Sequence, residues 1–217
     1  MAAEVYRVLG RATSSNVQAL MWGAAELSVP VAREDWGEGF APLDSPAFVA
    51  VSPMGRIPVL VAPDGAAIFE TAATLRYLAA RYGDNGFWPR DARARAQVDA
   101  WAEWAKHHVA GAFTGPVFWR AVRTPPGRRD AAAIARATGR LEADLARAEE
   151  RLAHGFLCGG ALTLADIQFG HVLFRYFDAG LAQAALPNLR AYYDRLMERP
   201  AYRKHVAISY DSLRDTL

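Results

Sequence analysis

Gly55-Arg56-Ile57-Pro58-Val59-Leu60-Val61, followed by Pro63-Asp64-Gly65-Ala66 and then Ile68-Phe69-Glu70-Thr71, reads as one structural unit. Proline cannot donate to a β-ladder, so Pro58 belongs at a strand start or edge, opening Val59-Leu60-Val61. An X-Pro bond tolerates the cis form far better than other peptide bonds, which makes a cis Ile57-Pro58 bond plausible. The N–H and C=O of Ile57 are then free to pair with an extended ligand as if it were another strand. Thr71 is read as the N-cap of a helix through Ala72, Leu75, Leu78, Ala79 and Tyr82. A helix start offers unpaired N–H groups and partial positive charge, which suit a carboxylate. The same residues also fit a plain structural hairpin followed by an ordinary capped helix.

Outward from that unit, Val5 to Leu9 suggests a buried strand ending at Gly10. Ser14, Ser15 and Asn16 offer N-caps for a helix carrying Val17, Leu20, Met21, Ala24 and Leu27, and Val29-Pro30-Val31 signals a second strand. The Gly, Pro, Asp and Ser density between Gly37 and Val51 marks a loop with one helical turn near Phe48 to Val51. The order strand, helix, strand, loop, hairpin, helix makes residues 1–82 a small α/β domain.

Gly83-Asp84-Asn85-Gly86-Phe87-Trp88-Pro89 breaks the pattern, so residues 83–90 read as a linker. No strand signal follows, and residues 91–217 read as an all-helical bundle. Val98, Trp101, Ala105 and His108 share one side of a long helix that Gly111, Gly115 and Pro116 should kink or end. Ile134, Leu141, Leu145, Ala148 and Leu152 mark another amphipathic helix. Thr163-Leu164-Ala165-Asp166 forms a capping box, with Leu162 and Ile167 at the positions of a hydrophobic staple.

The totals narrow the function classes. With 217 residues, 52% hydrophobic and 22% charged, the chain can bury an ample core. A formal net charge of +2 with scattered Lys and Arg argues against nucleic acid or an anionic membrane as partner. One cysteine, Cys158, allows neither an intrachain disulfide framework nor a CxxC pair, and it is read as a loop or buried residue rather than a nucleophile. A reducing compartment fits that usage, no secretory signal pattern or membrane-length apolar run is seen, and a cytoplasmic location is expected. His107 and His108 are adjacent on a helix and point apart, with no further ligand at metal spacing, so no metal site is expected.

Read together, Gly55-Arg56-Ile57-Pro58-Val59-Leu60, Phe69-Glu70-Thr71, Phe156-Leu157 and Leu162-Thr163-Leu164-Ala165-Asp166-Ile167, in this order, resemble the cytosolic glutathione transferase family over essentially the whole chain. Gly10-Arg11-Ala12-Thr13-Ser14-Ser15-Asn16-Val17 and Val122-Arg123-Thr124-Pro125-Pro126 look like a bacterial, GstB-like subgroup of it. The resemblance implies a thioredoxin-like α/β domain that binds glutathione and an all-α domain that contributes the electrophile site. It also implies a homodimer, with glutathione as co-substrate and no tightly bound cofactor.

By the same resemblance, Ile57 pairs with the cysteinyl unit of glutathione, with Pro58 in cis. Glu70 meets the ammonium and Thr71 the carboxylate of the γ-glutamyl end, and Arg11 and Arg56 are candidates for the glycine carboxylate or an acidic substrate. The catalytic residue falls among Thr13, Ser14 and Ser15, with Asn16 placed inside the helix. Some of these hydroxyls serve only as caps. Trp104, His107, His108, Phe113 and Trp119 are candidates for the electrophile wall. The implied chemistry is attack by a glutathione thiolate on a small electrophile, by conjugation or dehalogenation. Glutathione-dependent disulfide or peroxide reduction, and a non-catalytic ligand-binding role on the same fold, are the alternatives.

Overall fold

The computed structural model describes residues 5–217. Strands β1 (Tyr6–Leu9), β2 (Val31–Glu34), β3 (Val59–Val61) and β4 (Ala67–Phe69) form one sheet in the order β2-β1-β3-β4. β1 runs parallel to β2, while β3 is antiparallel to both β1 and β4. Successive residues of a strand point to opposite faces. Tyr6, Val8 and Leu60 therefore join the main core with α1 (Ser15–Glu26) and α3 (Thr71–Tyr82), whereas Leu9, Val59 and Val61 pack on Phe48 of the short α2 (Pro46–Val49). This is the thioredoxin-like arrangement the sequence led us to expect.

Two positions fix where the sheet meets its helices. Gly10 has φ of +149°, and a Cβ there would come within 2.5 Å of Val17 and 3.1 Å of Ile57 Cβ. The absence of a side chain lets β1, α1 and the Ile57 loop converge. Glu70 occupies the cap position of α3 at φ of +67° and makes no side-chain cap bond, and Thr71 is the first helical residue rather than the cap the sequence suggested. The kink in the backbone turns the chain from β4 into α3 and leaves the Glu70 carboxylate exposed.

The chain then enters the helical domain. α4 (Ala92–Trp104) continues through wide turns at Ala105–Ala110, α5 (Gly111–Phe113) and further wide turns at Thr114–Arg123. Gly111, Gly115 and Pro116, expected to kink or end the helix, do not end it: the Gly111 N–H reaches back five residues to the Lys106 carbonyl, and wide turns of this kind carry the chain past Pro116, which has no N–H to place. α6 (Ala131–Leu152), α7 (Leu164–Gly170), α8 (Leu173–Asp178), α9 (Pro187–Glu198) and α10 (Pro200–His205) complete the domain.

The α/β and helical domains share one continuous core. Gly170 on α7 lets Trp22 of α1 approach, since a Cβ at that position would lie 2.9 Å from the indole. Trp22 also stacks edge-on with Tyr202 of α10 at 4.9 Å, and Arg199 clasps Glu26 through contacts of 2.5 and 2.7 Å.

The Thr163 box at the start of α7 is more elaborate than a surface cap. Asp166 is fully buried and accepts from the N–H of Thr163 (2.8 Å), the Thr163 hydroxyl (2.9 Å), the Leu157 N–H (3.0 Å) and the Tyr192 hydroxyl (3.1 Å). Burial pushes its carboxyl pKa up, and the four donors pull the other way.

Candidate functional site

Three chain segments meet at a cleft of about 170 Å³ on the α/β domain. The first is the loop ahead of β3. Ser52 Oγ donates to the Arg56 carbonyl at 3.0 Å, which fixes the turn before Ile57, and the Ile57-Pro58 bond is cis. The β3 ladder begins only at Val59, so Ile57, which lines the cleft, lies ahead of the paired strand. The second is the β4–α3 junction, where Phe69, Glu70 and Thr71 form one wall. The third is the N-terminus of α1, which supplies Asn16.

A residue from the other domain completes the cleft. Lys106 Nζ donates to Asn16 Oδ1 at 2.8 Å, across 90 positions of sequence. Burial lowers the Lys106 pKa, while Glu70 and Glu103 raise it. Glu70 and Lys106 thus sense each other across the cleft. The contact also orients Asn16: with Oδ1 taken by the ammonium, the two Nδ2 hydrogens are free to donate.

The candidate hydroxyls have separate surroundings. Ser14 caps α1 through Oγ and the Val17 N–H at 3.5 Å, and Ser15 is the first helical residue. The Thr13 hydroxyl accepts from Arg11 Nη1 at 2.9 Å, which leaves its own proton to donate, and the Thr13 carbonyl accepts from Arg175 Nη2 at 2.8 Å. Arg11 therefore turns toward Thr13 and Glu38 rather than into the cleft, where Arg56 is the exposed guanidinium.

The electrophile candidates do not share one wall. Phe113 is buried in the core against Phe118 and Tyr176, and Trp104 packs between Trp101 and Phe169. His107 is exposed and pairs with Glu103 at 3.4 Å, and His108 is also exposed. Trp119 is 44% exposed, with Arg123 over its ring. On this helix Lys106, the residue before the histidines, is the one that reaches the cleft. Sequence reading missed it because a single lysine on a helix carries no local signal of a contact with α1. Among the described residues no group of His, Cys, Asp and Glu could hold a metal ion.

Comparison with known proteins bears on this geometry. Residues 13–81 match the family model of the glutathione S-transferase N-terminal domain, and residues 131–195 match that of the C-terminal domain. The chain belongs to the glutathione S-transferase family of enzymes. It is 33% identical over 201 residues to glutathione S-transferase GstB of Escherichia coli, which covers 92% of this chain and 96% of that protein. Glutathione S-transferase 3 of Zea mays is 33% identical over 171 residues, 75% of each chain. The theta class glutathione S-transferase of the citrus canker pathogen Xanthomonas axonopodis pv. citri, solved with glutathione bound, has 36% identity and a TM-score of 0.88. That alignment covers 94% of this chain and 98% of the other.

Proposed function

We propose that the protein binds glutathione in this cleft and transfers it, as a thiolate nucleophile, to a small electrophile. The observation that carries this reading is the convergence of the Ile57 backbone, the Glu70-Thr71 start of α3 and the α1 N-terminus with its Asn16–Lys106 contact in one cleft. In this assignment Ile57 pairs with the cysteinyl backbone, the Glu70 carboxylate faces the ammonium, and the Thr71 N–H and hydroxyl take the γ-glutamyl carboxylate at a helix start. Arg56 holds the glycine carboxylate.

The sulfur then lies toward the α1 N-terminus, where the Thr13 hydroxyl and the Asn16 amide are donors. A free thiol of pKa about 8.5 is only a few per cent ionised at neutral pH. Lowering it by about two units takes roughly 2.7 kcal/mol of preference for the thiolate. One charge-assisted hydrogen bond together with a helix N-terminus supplies that amount. The sulfur attacks the electrophilic carbon, the leaving group departs with its electron pair, and no bond to the protein forms. Catalysis comes from supplying the thiolate and positioning it.

The single cysteine supports a cytoplasmic location, and exposed Phe40, Met54 and Phe69 on the α/β domain support a homodimer that covers them. A monomer in sedimentation equilibrium at micromolar concentration would remove the second of these.

The decisive experiment is a calorimetric titration with reduced glutathione in two buffers of different ionisation enthalpy, with S-methylglutathione as control. Saturable binding that releases a proton for glutathione but not for the methyl thioether is expected. Absence of binding sinks the reading.

A further inference from the structure

On the helical domain a cavity of about 580 Å³ opens between the first half of α6, the end of the long helix at Ala121 and the loop that follows α8. It shares no residue with the cleft described above. Its size falls within the range of about 300–1,000 Å³ usual for small-molecule sites. The walls are built mostly from Ala, Gly, Ile and Leu, whose short or apolar side chains leave the space open. At Gly139 on α6 an added Cβ would meet nothing within 4 Å. The loop is pinned in place: the Ala184 N–H donates to Glu142 Oε1 at 2.6 Å, and Gln183 Nε2 donates to the Tyr176 carbonyl at 3.0 Å.

Three polar side chains of the lining are acceptors with capacity left over. Thr138, 7% exposed, has a buried hydroxyl with no hydrogen-bond partner, although a mid-helix threonine ordinarily bonds the carbonyl four residues back. Glu142 takes only neutral donors, the Tyr176 hydroxyl at 3.0 Å and the Ala184 N–H, and both fall on Oε1. Among the described residues Glu142 has no ion pair, and its Oε2 has no hydrogen bond. Gln183 spends its amide hydrogens on the Tyr176 and Phe177 carbonyls, which leaves its Oε1 to accept. Arg129, at the rim, is already offset by Asp215 at 2.8 Å.

A half-buried carboxylate without a counter-charge favours a cation. An ammonium brings three donors to these three acceptors, and the apolar walls suit a compact ring or chain attached to it. We propose that this cavity binds a small primary amine with an apolar body, of the arylalkylamine class, its ammonium on Glu142 and its ring along the Ala- and Gly-lined wall. The site works independently of the glutathione cleft.

The test is a calorimetric titration of the full chain with 2-phenylethylamine near neutral pH, in the presence of excess glutathione so that the cleft does not compete. Two compounds of similar size, the neutral 2-phenylethanol and the anionic 3-phenylpropionate, are titrated in parallel. The amine should bind saturably with a Kd of about 0.1–1 mM. One charge-assisted hydrogen bond corresponds to about 10- to 100-fold, so the alcohol should bind at least about tenfold more weakly and the anion more weakly still.

Glu142→Gln should cut the preference for amine over alcohol at least about tenfold, while its amide oxygen still serves the Ala184 N–H. Gly139→Leu is the second variant. It sends a side chain into open space, so it should keep the circular dichroism spectrum of the wild type and abolish amine binding. Failure of the amine to bind, equal binding of all three compounds, or binding that survives Gly139→Leu overturns the site. Amine binding that excess glutathione displaces also overturns it, because the amine would then occupy the cleft. Amine binding as expected in a protein that does not bind glutathione leaves this site standing and sinks the glutathione reading alone.

Discussion

Replacing Asp166 should cost far more than the loss of an ordinary helix cap. Both carboxylate oxygens receive only donors: Oδ2 takes the Thr163 N–H and hydroxyl, and Oδ1 takes the Leu157 N–H and the Tyr192 hydroxyl. The two hydroxyls can turn to other acceptors, but the two buried N–H groups cannot. Each orphaned donor costs about 1–3 kcal/mol. Asp166→Ala should therefore lose about 3–5 kcal/mol, a fall of about 6–20 °C in Tm for a chain of this length. Asp166→Asn should not rescue it, because in either orientation its NH₂ meets an N–H donor and a hydroxyl. We expect it to lose about 2–4 kcal/mol. The exposed cap Asp130, which accepts from the Ala133 N–H at 2.8 Å, is the control. Asp130→Ala should lose only about 0.5–2 kcal/mol. Urea unfolding monitored by far- and near-ultraviolet circular dichroism gives all three values. Asp166→Asn within about 0.5 kcal/mol of wild type would refute the argument, because the network would then not discriminate donor from acceptor.

Burial and the nearby charges of Lys106 and Arg175 lower the His171 pKa from 6.5 to about 3. Below about pH 6.5 the unfolded chain takes a proton that the folded one refuses, so stability falls as pH drops toward about 3, by about 2 kcal/mol at pH ~5. His171→Gln should flatten that slope in denaturant titrations at several pH values, and an unchanged slope would count against it. Glu70→Gln and Thr71→Ala should weaken glutathione binding by about 10- to 100-fold, with little change in Tm; calorimetry that finds unaltered affinity removes the γ-glutamyl assignment. Lys106→Met removes the ammonium that orients Asn16 and should raise the pKa of the bound thiol by about one to two units. An alkaline displacement of the pH profile of kcat/KM is the expected result, and an unshifted profile would place Lys106 outside thiol activation.

What could be read from the sequence was local. Pro58 and the Glu70-Thr71 step carry their meaning within a few residues: one lacks a donor, and the other pairs a carboxylate with a helix start. The helix from Thr71 to Tyr82 was legible from its period and came out with those bounds. The cap was misassigned because Glu70 adopts φ of +67°, a backbone state that side-chain preferences do not announce. Pro116 was read as a kink or an end because a sequence shows the missing donor but not the wide turns that accommodate it.

The long-range contacts at the α1 start lie beyond such local signals. Asn16 and Lys106 are 90 positions apart, and Thr13 and Arg175 are 162 apart. Each pair joins a residue that reads as an ordinary helix start to one that reads as an ordinary charge on a helix. Their juxtaposition follows from the close approach of α1 to α7 that Gly170 and Trp22 permit, and from the shared core that holds both domains. The candidate cleft needs only one such long-range placement, Lys106, beyond its own domain's loops, so its outline showed through. The grouping of Arg11, Arg123 and Arg175 near Thr13 and Glu38 needs the α1 start, the end of the long helix at Arg123 and α8 at once. A net charge of +2 conceals it, because a balanced total says nothing about three guanidinium groups sharing one carboxylate. That imbalance is a property of packing, which no motif in the chain announces.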